Sequence, residues 1–128
     1  MRHTLAASLV LLAVAAQAPA RAQGDAARGA ALALNRGQSL CVLCHAVPGQ
    51  NPALQGNIGP PLAGVGSRLD ASTLRQRLLA PERFNPDTVM PAYGRMDGLQ
   101  QVALAQRGRP LLNDAQIDDL VAWLVTLR

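Results

Sequence analysis

The chain has 128 residues, of which 49% are apolar, 16% charged and 2% aromatic, and its formal net charge is +4. This length suits one domain, and so apolar a composition excludes an intrinsically disordered chain. The aromatic residues are only Phe84, Tyr93 and Trp123, which are too few to stack single-stranded nucleic acid. All twelve cationic residues are arginines spread along the chain, whereas a nucleic-acid-binding tract would cluster them.

Residues 1–22 have the pattern of a cleaved secretory signal peptide, which leaves 23–128 as the mature domain. A basic start is followed by an apolar run from Leu5 to Ala16 and by the small residues of Ala20-Arg21-Ala22. As a helix the run spans roughly 18 Å, whereas the hydrocarbon core of a bilayer is about 30 Å thick. We therefore expect cleavage and a periplasmic protein rather than an uncleaved membrane anchor.

The mature chain predicts an all-α domain, because no segment alternates as a strand does. The predicted helices cover residues 25–36, 70–79, 98–107 and 114–127. Two loops rich in glycine and proline, 46–67 and 81–97, lie between them. Loops of this length are unusual in so small a domain unless they are functional or wrap a bound group.

The first and last predicted helices each carry a sequence pattern that concerns packing. In the first, Asp25 is placed to cap the helix, and its small apolar residues fall on one face: Ala27, Ala30, Ala31 and Leu34. Gly29 inside this helix indicates either a close approach of another backbone or simple tolerance. The last helix presents an apolar face for burial: Ile117, Leu120, Val121, Leu124 and Leu127.

The segment Cys41-Val42-Leu43-Cys44-His45 matches the c-type haem attachment signature. Two thiols at this spacing can form thioethers with the two vinyl groups of one haem, which places His45 under the iron as the proximal ligand. A structural zinc site needs four ligands, and the mature chain offers three. A thioredoxin-like dithiol expects a βαβ setting, and a disulfide or two inert thiols would leave His45 and the long loops unexplained.

The iron of such a haem needs a sixth ligand or has an open site. After residue 22 the chain has one histidine, His45, and two methionines, Met90 and Met96. We favour Met90, because it lies in a loop next to Pro91, whereas Met96 could fill a gap in the core. The alternative is that both methionines pack in the core. Histidine–methionine ligation occupies both axial positions and suits electron transfer.

With these residues in place, the mature chain resembles a small class I cytochrome c, which implies that family's fold around one covalently bound haem c. Gly29 and Trp123 match the contact at which the family's first and last helices cross. Pro60 matches the proline whose carbonyl accepts a hydrogen bond from the proximal histidine. The resemblance therefore implies Cys41, Cys44, His45, Pro60 and Met90 as haem-binding residues.

A narrower resemblance is to the SoxX family, the mono-haem subunits of sulfur-oxidising SoxAX cytochromes. Besides the haem motif, three segments carry it: residues 56–62 (GNIGPPL), 85–93 (NPDTVMPAY) and 116–124 (QIDDLVAWL). The resemblance implies a non-catalytic electron-accepting subunit of an L-cysteine S-thiosulfotransferase, which conjugates thiosulfate to a carrier cysteine. Its expected partners are a SoxA-like haem subunit in a heterodimer, a SoxYZ-like carrier protein and a downstream cytochrome.

Two other functions suit the same haem domain. One is a freestanding periplasmic electron carrier, and the other is the haem subunit of another periplasmic dehydrogenase, such as one for sulfite. A freestanding carrier commonly has lysines around its haem edge for transient docking, and this chain has none. The loops near 47–61 and 90–96 are the expected surface for a lasting partner.

Overall fold

The computed structural model describes residues 24–128, so the predicted signal peptide lies outside the described residues. Residues 24–128 contain helices and turns but no strand, which confirms the all-α class. The five helices are α1 (Ala26–Leu34), α2 (Cys41–Cys44), α3 (Val65–Arg68), α4 (Ala71–Leu79) and α5 (Asp114–Leu124). Single 3₁₀ turns form at Pro52–Leu54, Pro81–Arg83 and Leu104–Gln106. Within this part of the chain, none of the helices has the length and apolarity needed to span a bilayer.

The three longer helices begin at side chains that accept hydrogen bonds from their first turns. Asp25 caps α1 by accepting from a backbone N–H at 2.8 Å, and Asp70 caps α4 in the same way at 2.7 Å. Asn113 and Gln116 form a reciprocal capping box at the start of α5. Each such cap typically contributes about 1 kcal/mol, which explains why these helices begin where the sequence predicts.

Helices α1 and α5 cross in close contact, and theirs is the most extensive contact between elements of the described chain. A Cβ atom on Gly29 would lie 2.0 Å from the backbone oxygen of Asp119 and 2.8 Å from Cβ of Trp123. Only a glycine admits so close an approach of the two backbones. The structure thus confirms the close-approach interpretation of Gly29 and the predicted crossing with Trp123.

The face of α1 expected from the alanine pattern is wrong in three of its four residues, and only Ala30 packs against the core. Ala27, Ala31 and Leu34 are exposed, and the helix instead buries Gly29, Leu32 and Ala33. The buried residues follow the i, i+3, i+4 spacing that starts at Gly29, because the glycine sets which face can approach α5. Small alanines on the other face carry too little hydrophobic area to override that contact.

The apolar face of α5 is as predicted. Ile117, Leu120 and Leu124 are buried, and Val121 packs against the same core at partial burial. The helix ends at Leu124 rather than at the predicted residue 127, and Leu127 packs against the core from beyond its end. The core that they join contains buried residues from all five helices and from the loops between them. Its other buried members are Leu32, Ala33, Val42, Val47, Val65, Leu74, Leu78, Tyr93, Leu112 and Trp123. Helix α4 packs across α5, where Arg75 bonds Asp118 at 3.0 Å.

The helix predicted over 98–107 does not form. Gly98 and Gln101 have φ values of 77° and 54°, in the left-handed region, and only Leu104–Gln106 makes a 3₁₀ turn. The side chain of Leu104 is 80% exposed, so the segment has no apolar face to pack against the core. Helix-favouring residues alone do not stabilise so short a helix in water. The long loop expected over 46–67 is interrupted by α3 and by the turn Pro52–Leu54.

Candidate haem site

The two cysteines lie on one helical turn. Helix α2 consists of residues Cys41–Cys44 and begins after Leu40, whose φ of 62° turns the chain sharply away from the preceding segment. Residues three apart in a helix share a face, so both thiols point to the same side. Both cysteines are half-buried and free. Burial raises the pKa of the Cys41 thiol, which favours the protonated form in the folded, unattached chain.

His45 ends this turn and presents its ring to the following loop. Its backbone N–H donates to the Cys41 carbonyl at 2.9 Å, while its own dihedral angles are already extended. The imidazole Nδ1 lies 2.7 Å from the carbonyl oxygen of Pro60. Since a carbonyl can only accept, Nδ1 carries the proton and Nε2 keeps a free lone pair. This tautomer is the one that a metal ligand bonding through Nε2 needs.

Two glycines let the loop that contains Pro60 lie directly against the haem motif. A Cβ on Gly56 would lie 1.9 Å from the Leu43 carbonyl oxygen, and one on Gly59 would lie 2.4 Å from the His45 ring. The backbone N–H of Gly59 donates to the Cys44 carbonyl at 2.8 Å. These contacts place the Pro60 carbonyl against the ring. Both glycines stand in the segment 56–62 that carries the narrower resemblance, but neither was predicted as a site residue.

The two candidate distal methionines lie in different environments. Met90 is half-buried and packs against the hydrophobic core, whereas the side chain of Met96 is 51% exposed. The backbone N–H of Met90 donates to the Thr88 hydroxyl at 3.1 Å, which shapes the turn just before Pro91. Three residues after Met90, Tyr93 is buried and hydrogen-bonds to the carbonyl of Ser39, close to the haem motif. Tyr93 stands in the segment 85–93 that carries the narrower resemblance, but neither Tyr93 nor Ser39 was predicted as a site residue.

This donor set fits one covalently attached haem. The thiols of Cys41 and Cys44 share one face, the imidazole of His45 has a free Nε2, and Met90 supplies a thioether in a separate loop. Among residues 24–128, no three His, Cys, Asp or Glu side chains gather as a metal site of their own. Thioethers to Cys41 and Cys44 would hold the porphyrin edge at α2, and His45 would approach the iron from that side.

The chain matches the protein-family model described as Cytochrome c over residues 26–128. It is also similar to the crystal structure of SoxXA from P. pantotrophus, with 33% sequence identity and a TM-score of 0.69. That match covers 83% of this chain and 83% of the other. A search of curated proteins found no match. The chain therefore belongs to the cytochrome c family, as a SoxX-type mono-haem protein that carries one covalently bound haem c.

Proposed function

We propose that this protein is the electron-accepting subunit of a SoxAX-type L-cysteine S-thiosulfotransferase. The observation that carries the proposal is the 33% identity to a SoxXA chain over 83% of both chains. In that role it receives electrons when a partner subunit conjugates thiosulfate to a cysteine of a SoxYZ-like carrier protein. It then passes them to a downstream cytochrome.

The proposed axial ligands of the iron are His45 and Met90. The hydrogen bond from His45 Nδ1 to the Pro60 carbonyl supports the first, because it orients the ring and frees Nε2. The position of Met90 against the core, beside a proline, supports the second over the exposed Met96. A bound haem supplies a one-electron redox couple. With both axial positions filled, the site suits electron transfer rather than substrate binding at the iron.

The set of reactive side chains in the described domain also favours a non-catalytic subunit. Residues 24–128 contain no cysteine besides Cys41 and Cys44 and no histidine besides His45. Haem attachment and ligation use all three, so the described domain has no further thiol or imidazole for nucleophilic or acid–base work on a sulfur substrate. The thiosulfate chemistry is therefore assigned to the partner.

The proposed partner is a SoxA-like haem subunit in a heterodimer. Apolar side chains on the loops that flank the site are more than half exposed, namely Leu54, Ile58 and Val89. The chain also has no lysine with which to form a ring for transient docking. An exposed apolar surface suits a lasting interface better than a brief electrostatic encounter. The signal-peptide pattern of residues 1–22 supports a periplasmic location for the complex.

Co-purification from the periplasm tests the proposal. The C-terminally tagged protein should retain a second haem protein in stoichiometric amount through a salt wash and a sizing column. The isolated pair should form an adduct on a carrier cysteine when thiosulfate is added, and the same pair incubated without thiosulfate serves as the control. Recovery of a lone haem protein that exchanges electrons freely would favour a freestanding carrier. A stoichiometric sulfite-oxidising partner would favour the dehydrogenase instead.

A further inference from the structure

The hydroxyl of Tyr93 joins two segments that are far apart in sequence. Tyr93 is 3% exposed, and its hydroxyl donates to the backbone carbonyl of Ser39, which is itself fully buried. Ser39 is fixed in turn, because its own hydroxyl donates to the Leu32 carbonyl at the end of α1 over 2.7 Å. The sulfur of Cys41 lies 3.7 Å from the same Ser39 carbonyl oxygen. The Tyr93 hydroxyl therefore contacts the segment that enters the haem motif.

The backbone of Tyr93 is held as firmly as its side chain. Its N–H donates to the Leu78 carbonyl at 2.9 Å, and its carbonyl accepts from the N–H of Leu112 at 3.0 Å. The residue is thus bonded to the end of α4, to the segment before α5 and to the segment before α2. A residue with three such long-range bonds has little freedom to shift while the domain stays folded.

Met90 is only three residues from this anchor. Three residues span at most about 10–11 Å, and the ring of Pro91 restricts the first of the intervening φ angles. On its other side, Met90 is tied to Thr88 through a backbone hydrogen bond of 3.1 Å. The position of the Met90 thioether therefore depends on where Tyr93 is fixed.

We propose that Tyr93 is a positioning residue for the iron ligand Met90. Its hydrogen bond to the Ser39 carbonyl holds the Met90 loop against the haem-attachment segment. Tyr93 acts through Met90 and does not itself touch the iron. The inference rests on the proposed assignment of Met90 as sixth ligand. The energetic argument concerns the Ser39 carbonyl. Without the Tyr93 hydroxyl, this carbonyl loses that hydrogen bond while the loop is docked but can bond to water once the loop is released, so release of the loop costs less free energy.

Tyr93→Phe in the haem-loaded protein tests the inference, since it removes the hydroxyl and keeps the ring. In the ferric protein, imidazole competes with Met90 for the iron, and the weak near-infrared band of methionine–iron ligation reports the competition. We expect the variant to bind imidazole about tenfold more tightly, because the docked loop has lost about 1.4 kcal/mol of stabilisation. Imidazole affinity equal to that of the wild type would overturn the inference.

Two further variants separate the possible causes. Arg28→Ala weakens the domain at the crossing of α1 and α5, far in sequence from Met90, and should leave imidazole affinity unchanged. If it raises the affinity as Tyr93→Phe does, global destabilisation explains the effect and the inference fails. Met90→Ala should abolish the band, and its persistence would instead refute the axial assignment of the proposed function.

A measurement on the unsubstituted sequence guards against a variant that does not fold. Tyr93 is the one tyrosine of the chain, so uniform incorporation of 3-fluorotyrosine places a single fluorine probe at this position. Carbon monoxide displaces a methionine from ferrous haem and leaves the iron diamagnetic. We expect the ¹⁹F resonance to shift on carbon monoxide binding. An unchanged resonance would show that Tyr93 does not respond to Met90 and would overturn the inference.

Discussion

The guanidinium of Arg28 forms two hydrogen bonds to the carboxylate of Asp119, each 2.8 Å long, and so ties α1 to α5. Asp119 also accepts the backbone N–H of Asp25 at 2.7 Å, which connects the cap of α1 to the same carboxylate. Asp119 is buried, whereas the side chain of Arg28 is 65% exposed. Solvent screens the Coulombic attraction of so exposed a partner, so the geometry of the hydrogen bonds carries most of the stabilisation.

Replacing Asp119 by Asn should lower stability at neutral pH by about 1–2 kcal/mol, because the bonds from Arg28 lose their charged acceptor. The hydrogen bond from Arg28 lowers the pKa of Asp119, so its stabilisation is complete above the unfolded-state pKa of about 4 and is lost as the pH falls through the folded-state pKa. The difference between wild type and Asp119→Asn should therefore shrink below about pH 4. Thermal unfolding from pH 7 to 2.5 measures it, with the exposed Asp87→Asn as control. A pH-independent difference would contradict the prediction.

Gly29→Ala should destabilise the domain by about 3 kcal/mol, because the new methyl would lie 2.0 Å from the Asp119 backbone oxygen and force the two helices apart. Gly37→Ala is the matched control, since the nearest atom there lies 3.5 Å away and no left-handed φ is involved. The control should be neutral or slightly stabilising. Denaturant unfolding of both variants measures the difference in stability, and equal unfolding midpoints would disprove the tight crossing of α1 and α5.

Gly59→Ala should disturb the proximal side of the haem. Its methyl would lie 2.4 Å from Cε1 of His45 and 2.7 Å from Nδ1, so the ring must tilt away from the Pro60 carbonyl. We expect a loss of about 2 kcal/mol in stability, a lower yield of haem-loaded protein and a changed low-spin absorbance spectrum. Gly37→Ala again provides the comparison. A wild-type spectrum and yield from Gly59→Ala would show that the ring does not need this contact.

Met90→Ala should open the sixth coordination position of the iron, abolish the methionine–iron band and lower the reduction potential. Met96→Ala, in which an exposed thioether is removed, should do none of these. Absorbance spectroscopy and a redox titration of both haem-loaded variants test the pair. The reverse pattern, with the band lost only in Met96→Ala, would transfer the assignment to Met96.

Replacing Cys41 and Cys44 together by Ser should leave little soluble, folded protein. The chain has few aromatic residues and its core is correspondingly small, so we expect it to depend on the covalently held haem. Circular dichroism and gel filtration of the periplasmic fraction measure the outcome. A stable, monomeric apo-domain would show that the polypeptide core suffices without the haem.

The features that were predictable from sequence are those with a local chemical signal. Asp25, Asp70 and Asn113 cap helices with their own side chains, and the apolar period of α5 is visible without knowledge of its partner. Gly29 was ambiguous for the opposite reason, because the meaning of a glycine depends on the backbone that approaches it. The same dependence explains why the role of Gly59 against His45 could not be foreseen.

The wrong expectations have one cause. The segment 98–107 contains good helix formers, and the alanines of α1 share a face, but in neither case does the sequence show whether a packing partner exists. Leu104 has none within the described chain and stays exposed, so the helix does not form. Likewise, the position of Tyr93 beside Ser39 depends on a contact between residues 54 positions apart, which no local pattern encodes.

The pairing of α1 with α5 has a consequence for the order in which the molecule matures. Residues Arg28 and Asp119 are 91 positions apart, so the core closes only after nearly the whole domain has been synthesised. Contacts of such high sequence separation form late and slowly. Until then the thiols of Cys41 and Cys44 are exposed, and burial has not yet raised the pKa of Cys41. The topology thus leaves a period during which the haem can be joined to an open chain, before folding encloses it.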